Sequence, residues 1–155
     1  MIPVKTVMVH FRTNFSAVFV ARMIEWEHAV SLFLFGYVLL VNPGLFEGGS
    51  YVSFLRIWDN QLGWAGICMI VGALRFLILA VNGLIRRSPH LRAMFAAISA
   101  FVWMQLSLGF LASGNFSTAL AVYPTFIFWE FAVFLITVRY AKAVDVQSRH
   151  ARTDP

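Results

Sequence analysis

Apolar positions along this chain fall into four long runs separated by short polar breaks. The first extends from about Ile24 to Val41 and stops at Asn42-Pro43-Gly44, a helix-breaking cluster. The second runs from about Leu62 to Ile85. The third begins near Leu91, after the turn Arg86-Arg87-Ser88-Pro89-His90, and ends near Ala112, before Ser113-Gly114-Asn115. The fourth occupies about Thr118 to Tyr140. A helix needs about 20 apolar residues to cross a hydrocarbon layer about 30 Å thick. The pattern therefore predicts an all-α, polytopic membrane protein with four transmembrane helices in one bundle. Ahead of the runs, Val4, Met8, Phe11, Phe15, Val18 and Phe19 recur at helical spacing, while Lys5, Thr6, Arg12, Thr13 and Ser16 point elsewhere. Residues 1–23 read as a basic amphipathic helix on the membrane surface, or as an extension of the first span. Residues 24–140 form the transmembrane domain, and residues 141–155 a polar, mobile cytoplasmic tail.

Composition agrees with this division. The 155 residues are 60% hydrophobic and 12% charged, against roughly 25% charged in soluble domains. A small soluble fold leaves about a third of its unfolded-chain surface in water, so lipid must cover this one. Twelve Lys+Arg against seven Asp+Glu give +5. The cations gather in three places: before the first run, in the loop between the second and third, and after the fourth. The positive-inside rule then puts both chain ends in the cytoplasm, with Arg87 and Arg92 anchoring their helices at anionic headgroups. Trp58 and Trp64 read as markers of the outer interface and Trp26 of the inner one. The long external loop, Asn42 to Gln61, is rich in apolar residues and is expected to lie on the membrane or on the bundle. No basic stripe with interleaved aromatics is present, so nucleic acid is not an expected partner.

Metal, cofactor and nucleophile chemistry finds little support. Cys68 stands alone, no Cys/His set has ligand spacing, and only His28 lies near a span, which disfavours haem. There is no Walker loop, H-E-x-x-H, G-x-S-x-G or C-x-x-C. Neither an enzyme nor a cofactor is expected.

What remains is charge at membrane depth. Arg75 lies eleven residues before Arg86 and Glu130 nine before Arg139, which puts both roughly 13–17 Å from the inner face. A lone charge at that depth costs about 2.5–3.5 kcal/mol on insertion scales. An Arg75–Glu130 ion pair joining the second and fourth spans is the expected solution, with a functional cavity as the alternative. Asn82 shares the Arg75 face, and Trp103 and Gln105 supply further polar groups on the third span. Glu27 and His28, beside Arg22 and Glu25, could form a proton relay, or could be solvated at the headgroups. Pro124 either begins the regular fourth helix or kinks it.

The string Arg75-Phe76-Leu77-Ile78-Leu79-Ala80-Val81-Asn82-Gly83, followed by Arg87-Ser88-Pro89-His90-Leu91-Arg92, Trp103-Met104-Gln105, Gly109-Phe110 and Tyr123-Pro124, resembles small four-span membrane proteins encoded by tailed bacteriophages and prophages. The resemblance implies a bacterial inner membrane and a role in modifying the host envelope, and carries over no catalytic residues. The expected function is non-enzymatic association in the bilayer, with another copy or another membrane protein. The rivals are a holin-like pore and a proton- or ion-coupled carrier using Glu27, His28, Arg75 and Glu130.

Overall fold

The computed structural model describes residues 22–84, 88–114 and 116–153, without the side chains of 82–84, 144, 145 and 147–153. The amphipathic segment predicted for 1–23 therefore lies outside the described residues, apart from its last two positions. The described elements are helical: α1 (Met23–Val41), a 3-10 turn (Leu45–Glu47), short α2 (Phe54–Ile57), α3 (Gln61–Leu84), α4 (Pro89–Ala112) and α5 (Ala119–Thr153). Four of them, α1, α3, α4 and α5, are long and apolar enough to cross a membrane.

Local chemistry explains the boundaries. α1 ends where Pro43 follows Asn42 and Gly44 takes the left-handed conformation at φ 84°, which a side chain would strain. Asn60 caps α3, its Oδ1 accepting the Gly63 N–H at 2.9 Å. Pro89 opens α4, where its missing N–H costs nothing, and Gly114 at φ 71° closes it. α5 starts at Ala119, so Pro124 sits inside it and leaves the Leu120 carbonyl without its usual donor. Residues 141–153 of the expected polar tail continue α5 to Thr153. No Gly or Pro interrupts Ala141–Thr153, and Ala, Lys, Gln and Arg propagate a helix well.

The helices pack as two pairs. α1 runs along α3 and α4 along α5, while contacts between the pairs are fewer. Glycine sets the first pairing. A Cβ on Gly72 would fall 2.6 Å from the Phe33 nitrogen, and one on Gly36 would fall 2.6 Å from the Ala65 oxygen. Only bare Cα atoms let these backbones approach so closely. Gly66, also small, faces open space.

At the Val41 end the loop between α1 and α3 folds onto the bundle. Phe46 and Phe54 are buried among Tyr51, Trp64 and Phe110. The Phe54 ring lies over Gly109, and the buried Ser53 hydroxyl donates to the Gly109 carbonyl. Burial pushes the Tyr51 phenol pKa upward. Trp64, expected at the membrane interface, is buried beneath this loop, its Nε1 donating to the Trp58 carbonyl at 3.3 Å. Trp26, expected at the other interface, is also buried, edge-on to Phe76. In both cases protein covers the ring before lipid can.

Candidate functional site

Helical spacing aims the ionisable residues inward. On α3, Cys68, Arg75 and Leu79 lie on one stripe, and all three are buried. On α5, Glu130 and Thr137 are two turns apart on the buried face. Arg75 and Glu130 meet, the Nη1 donating to Oε1. The same Oε1 lies 3.1 Å from Nδ1 of His28 on α1, whose Nε2 lies 3.3 Å from Oε2 of Glu27. Glu27 also accepts a hydrogen bond from Ser31 at 2.7 Å. Four ionisable side chains from three helices thus form one line.

Access differs sharply along that line. Glu27 is 50% exposed, His28 2% and Glu130 0%. Phe126, one turn before Glu130, stacks against His28 at 4.8 Å and against Trp103 at 4.7 Å between ring centres. Its ring closes the cluster toward the Val41 end, where Phe35, Trp103, Phe110 and Tyr123 continue the aromatic packing.

The cluster is not fully satisfied. Arg75 Nη2 and Glu130 Oε2 are buried without a hydrogen-bond partner among the described residues. His28 Nδ1 is close enough to Glu130 for strong electrostatics, yet its direction falls short of a hydrogen bond. Buried polar groups are ordinarily paired, so unmet capacity at a shared carboxylate leaves room for a proton or water to change partners. No group of three His, Cys, Asp or Glu side chains that could hold a metal ion occurs among the described residues.

The remaining predicted residues separate. Trp103 is buried in the aromatic packing, with its Nε1 unpartnered among the described residues, one layer beyond Phe126. Gln105 is only partly buried, on another face of α4. Position 82 belongs to α3, but the Asn82 side chain lies outside those described. Glu25, read beside Arg22 and His28 on its own helix, binds Arg92 of α4 through Nε at 3.2 Å and through Nη2. Arg92 is thereby drawn away from the purely headgroup role expected of it.

Two polar residues that sequence reasoning passed over hold the bundle's connections. Gln61 donates to the carbonyls of Leu39 and Asn42 at 2.8 and 2.7 Å and accepts the Phe46 N–H at 3.1 Å. Ser53 fastens the loop to α4. A lone polar residue at the edge of an apolar run is the signal for Gln61; Ser53 carries none.

Along the seam between α1 and α5 two clefts flank the His28–Glu130 contact. One of about 400 Å³ lies toward the Val41 end beside Ser31, Trp103 and Tyr123. The other, about 360 Å³, lies toward the Met23 end beside Arg22, Arg92 and Thr137. Comparison with protein-family models, curated proteins and solved structures finds no match to this chain.

Proposed function

We propose that the chain is a non-enzymatic, multi-pass membrane protein that binds a proton at the Glu27–His28–Glu130–Arg75 cluster and uses it to control the seam between its helix pairs, as in a small proton- or ion-coupled carrier. The observation that carries this reading is the line of contacts itself. It runs from a half-exposed carboxylate, through a buried imidazole, to a carboxylate sealed from solvent and shared with a guanidinium. A structural clip needs only one cation and one anion, and even that gains little over apolar packing. His28 adds the side chain type whose ordinary charge change lies nearest neutral pH. Intramembrane ionisable groups with cavity access are the usual parts of proton relays.

The aromatic layer beyond Phe126 speaks against a pore along the bundle axis. The cations of residues 86–92 and 139–152 support placing the Met23 end in the cytoplasm of a bacterial inner membrane. Infrared difference spectra of the protein in nanodiscs, taken between about pH 5 and 8 where imidazoles ordinarily titrate, test the reading. Carboxyl and imidazole bands should change with pH and vanish separately in Glu130→Gln and His28→Asn. Bands that do not move with pH would leave the cluster a fixed clip.

A second reading is assembly with another copy or another membrane protein. It is supported by α5, in which 6% of the membrane-length segment is buried against 33–39% in the other three spans. Cysteine crosslinking in membranes from Phe128 and Ile136, both exposed on α5, would detect such a neighbour.

A further inference from the structure

We propose that the cleft toward the Val41 end, beside Ser31, binds an arylalkyl quaternary ammonium, a lipophilic organic monocation. The inference rests on the proton-binding reading of the cluster and names the class of molecule that such a carrier would move. The cleft, about 400 Å³, lies between α1 and α5, where protein contacts are sparse. Phe35, Tyr51, Trp103, Tyr123 and Phe126 line it with rings. Those rings do not lie flat on one another. Phe35 meets Tyr123 at 89° and Trp103 at 66°, and Trp103 meets Phe126 at 64°. Rings at such angles form walls around a space, the arrangement in which the negative faces of aromatic rings hold a quaternary ammonium.

The surroundings select the charge. None of the described residues that line the cleft is charged, but the Ser31 hydroxyl donates to Glu27 at 2.7 Å, which leaves the Ser31 oxygen as an acceptor. Glu27 belongs to a cluster in which two carboxylates have one guanidinium between them. With the His28 imidazole neutral, those four side chains carry one negative charge in excess. A cation in the cleft therefore lies one hydrogen-bonded side chain away from that excess. A proton taken up by His28, which faces Glu27 and Glu130 with Arg75 beyond them, cancels it, so cation and proton are alternatives. The lining also selects the kind of cation. A primary ammonium is a strongly hydrated point charge that needs acceptors for its N–H groups. A quaternary one has no N–H to satisfy and uses ring faces instead. An anion would meet no cation here, and the Trp103 N–H is buried away from it. An uncharged molecule gains nothing from the cluster.

Isothermal titration of the full chain in phosphatidylcholine nanodiscs, with empty nanodiscs as reference, tests the proposal with benzyltrimethylammonium and its uncharged isostere neopentylbenzene. The cation should bind saturably, about tenfold more tightly than the isostere. Removing one wall in Phe35→Leu or Tyr123→Leu should weaken it about fivefold. Glu27→Gln, at a half-exposed position outside the cleft, removes the excess charge without touching a ring. It should weaken the cation by a similar factor and leave the isostere unchanged, which keeps the test decisive should a ring variant fail to fold. Equal affinity for the two probes overturns the proposal, as does cation binding unmoved by all three substitutions. Binding that depends on the rings and on Glu27 but is the same at about pH 5 and 8 supports the cation site and overturns the proton reading alone. Absence of saturable binding overturns the cation site, and infrared bands that still move with pH would then leave the proton reading standing.

Discussion

At the Met23 end of the bundle the helix pairs meet through charge: Glu25 with Arg92, His28 with Glu130, Arg75 with Glu130. At the Val41 end they meet through rings, with Phe54 set between Trp64 and Phe110, and Trp103 against Phe35 and Tyr123. Aromatic packing depends on shape and area and is indifferent to pH and salt. Buried ionic contacts depend on protonation, and breaking one partner leaves the other stranded. The same seam is therefore a fixed joint at one end and an adjustable joint at the other.

The comparison can be broken most forcefully at Glu130. Glu130→Ala strands Arg75 and should cost about 3–5 kcal/mol in unfolding measured in detergent; a loss under about 1 kcal/mol would mean the ionic end contributes little. Restoring the pair by the swap Arg75→Glu/Glu130→Arg should rescue only in part, since it sets a guanidinium beside His28. The aromatic end is tested next. Phe54→Ala removes the ring over Gly109 and should cost about 3 kcal/mol, by an amount that does not change with pH.

Within a pair, where neither charge nor aromatic plug acts, Gly72→Ala forces apart α1 and α3 and should cost about 1–3 kcal/mol. Gln61→Ala, which leaves the Leu39 and Asn42 carbonyls without their donor, should cost about 1–2 kcal/mol, read by the same unfolding curve. The smallest effect belongs to Glu25→Gln. Its carboxylate is buried against Arg92, but the glutamine amide oxygen still accepts from the guanidinium, so the loss should be about 1 kcal/mol.

Much of the architecture is legible in run lengths, because a bilayer sets a minimum span and the polar breaks mark the turns. Arg75 and Glu130 could be placed at one level by counting from basic residues that sit at the membrane face. His28 could not. It stands five residues into α1, roughly 7.5 Å along the helix, whereas Arg75 stands nine residues from Leu84, roughly 13 Å. The two helix ends are not level, however: Gly72 packs against Ala29 and Phe33, and Trp26 against Phe76, which sets His28 opposite Arg75. The burial of Trp26 and Trp64 is not legible in the sequence either. A tryptophan near the end of a span reads as an interface marker, and only the fold shows that a loop or a neighbouring ring covers it first. Residues 141–153 read as a tail because their polarity ends the membrane span, although polarity does not end a helix.

The partners in the central ion pair are 55 residues apart in the chain. At synthesis rates of about 5–20 residues per second, Arg75 is made roughly three to eleven seconds before Glu130. During that interval the Arg75 guanidinium has no carboxylate from α5, and only the α1 residues His28 and Glu27 of the later cluster already exist. The nascent protein thus passes through a stage in which its second span is held in lipid against the cost of an unmatched charge. Completing the last helix resolves that stage.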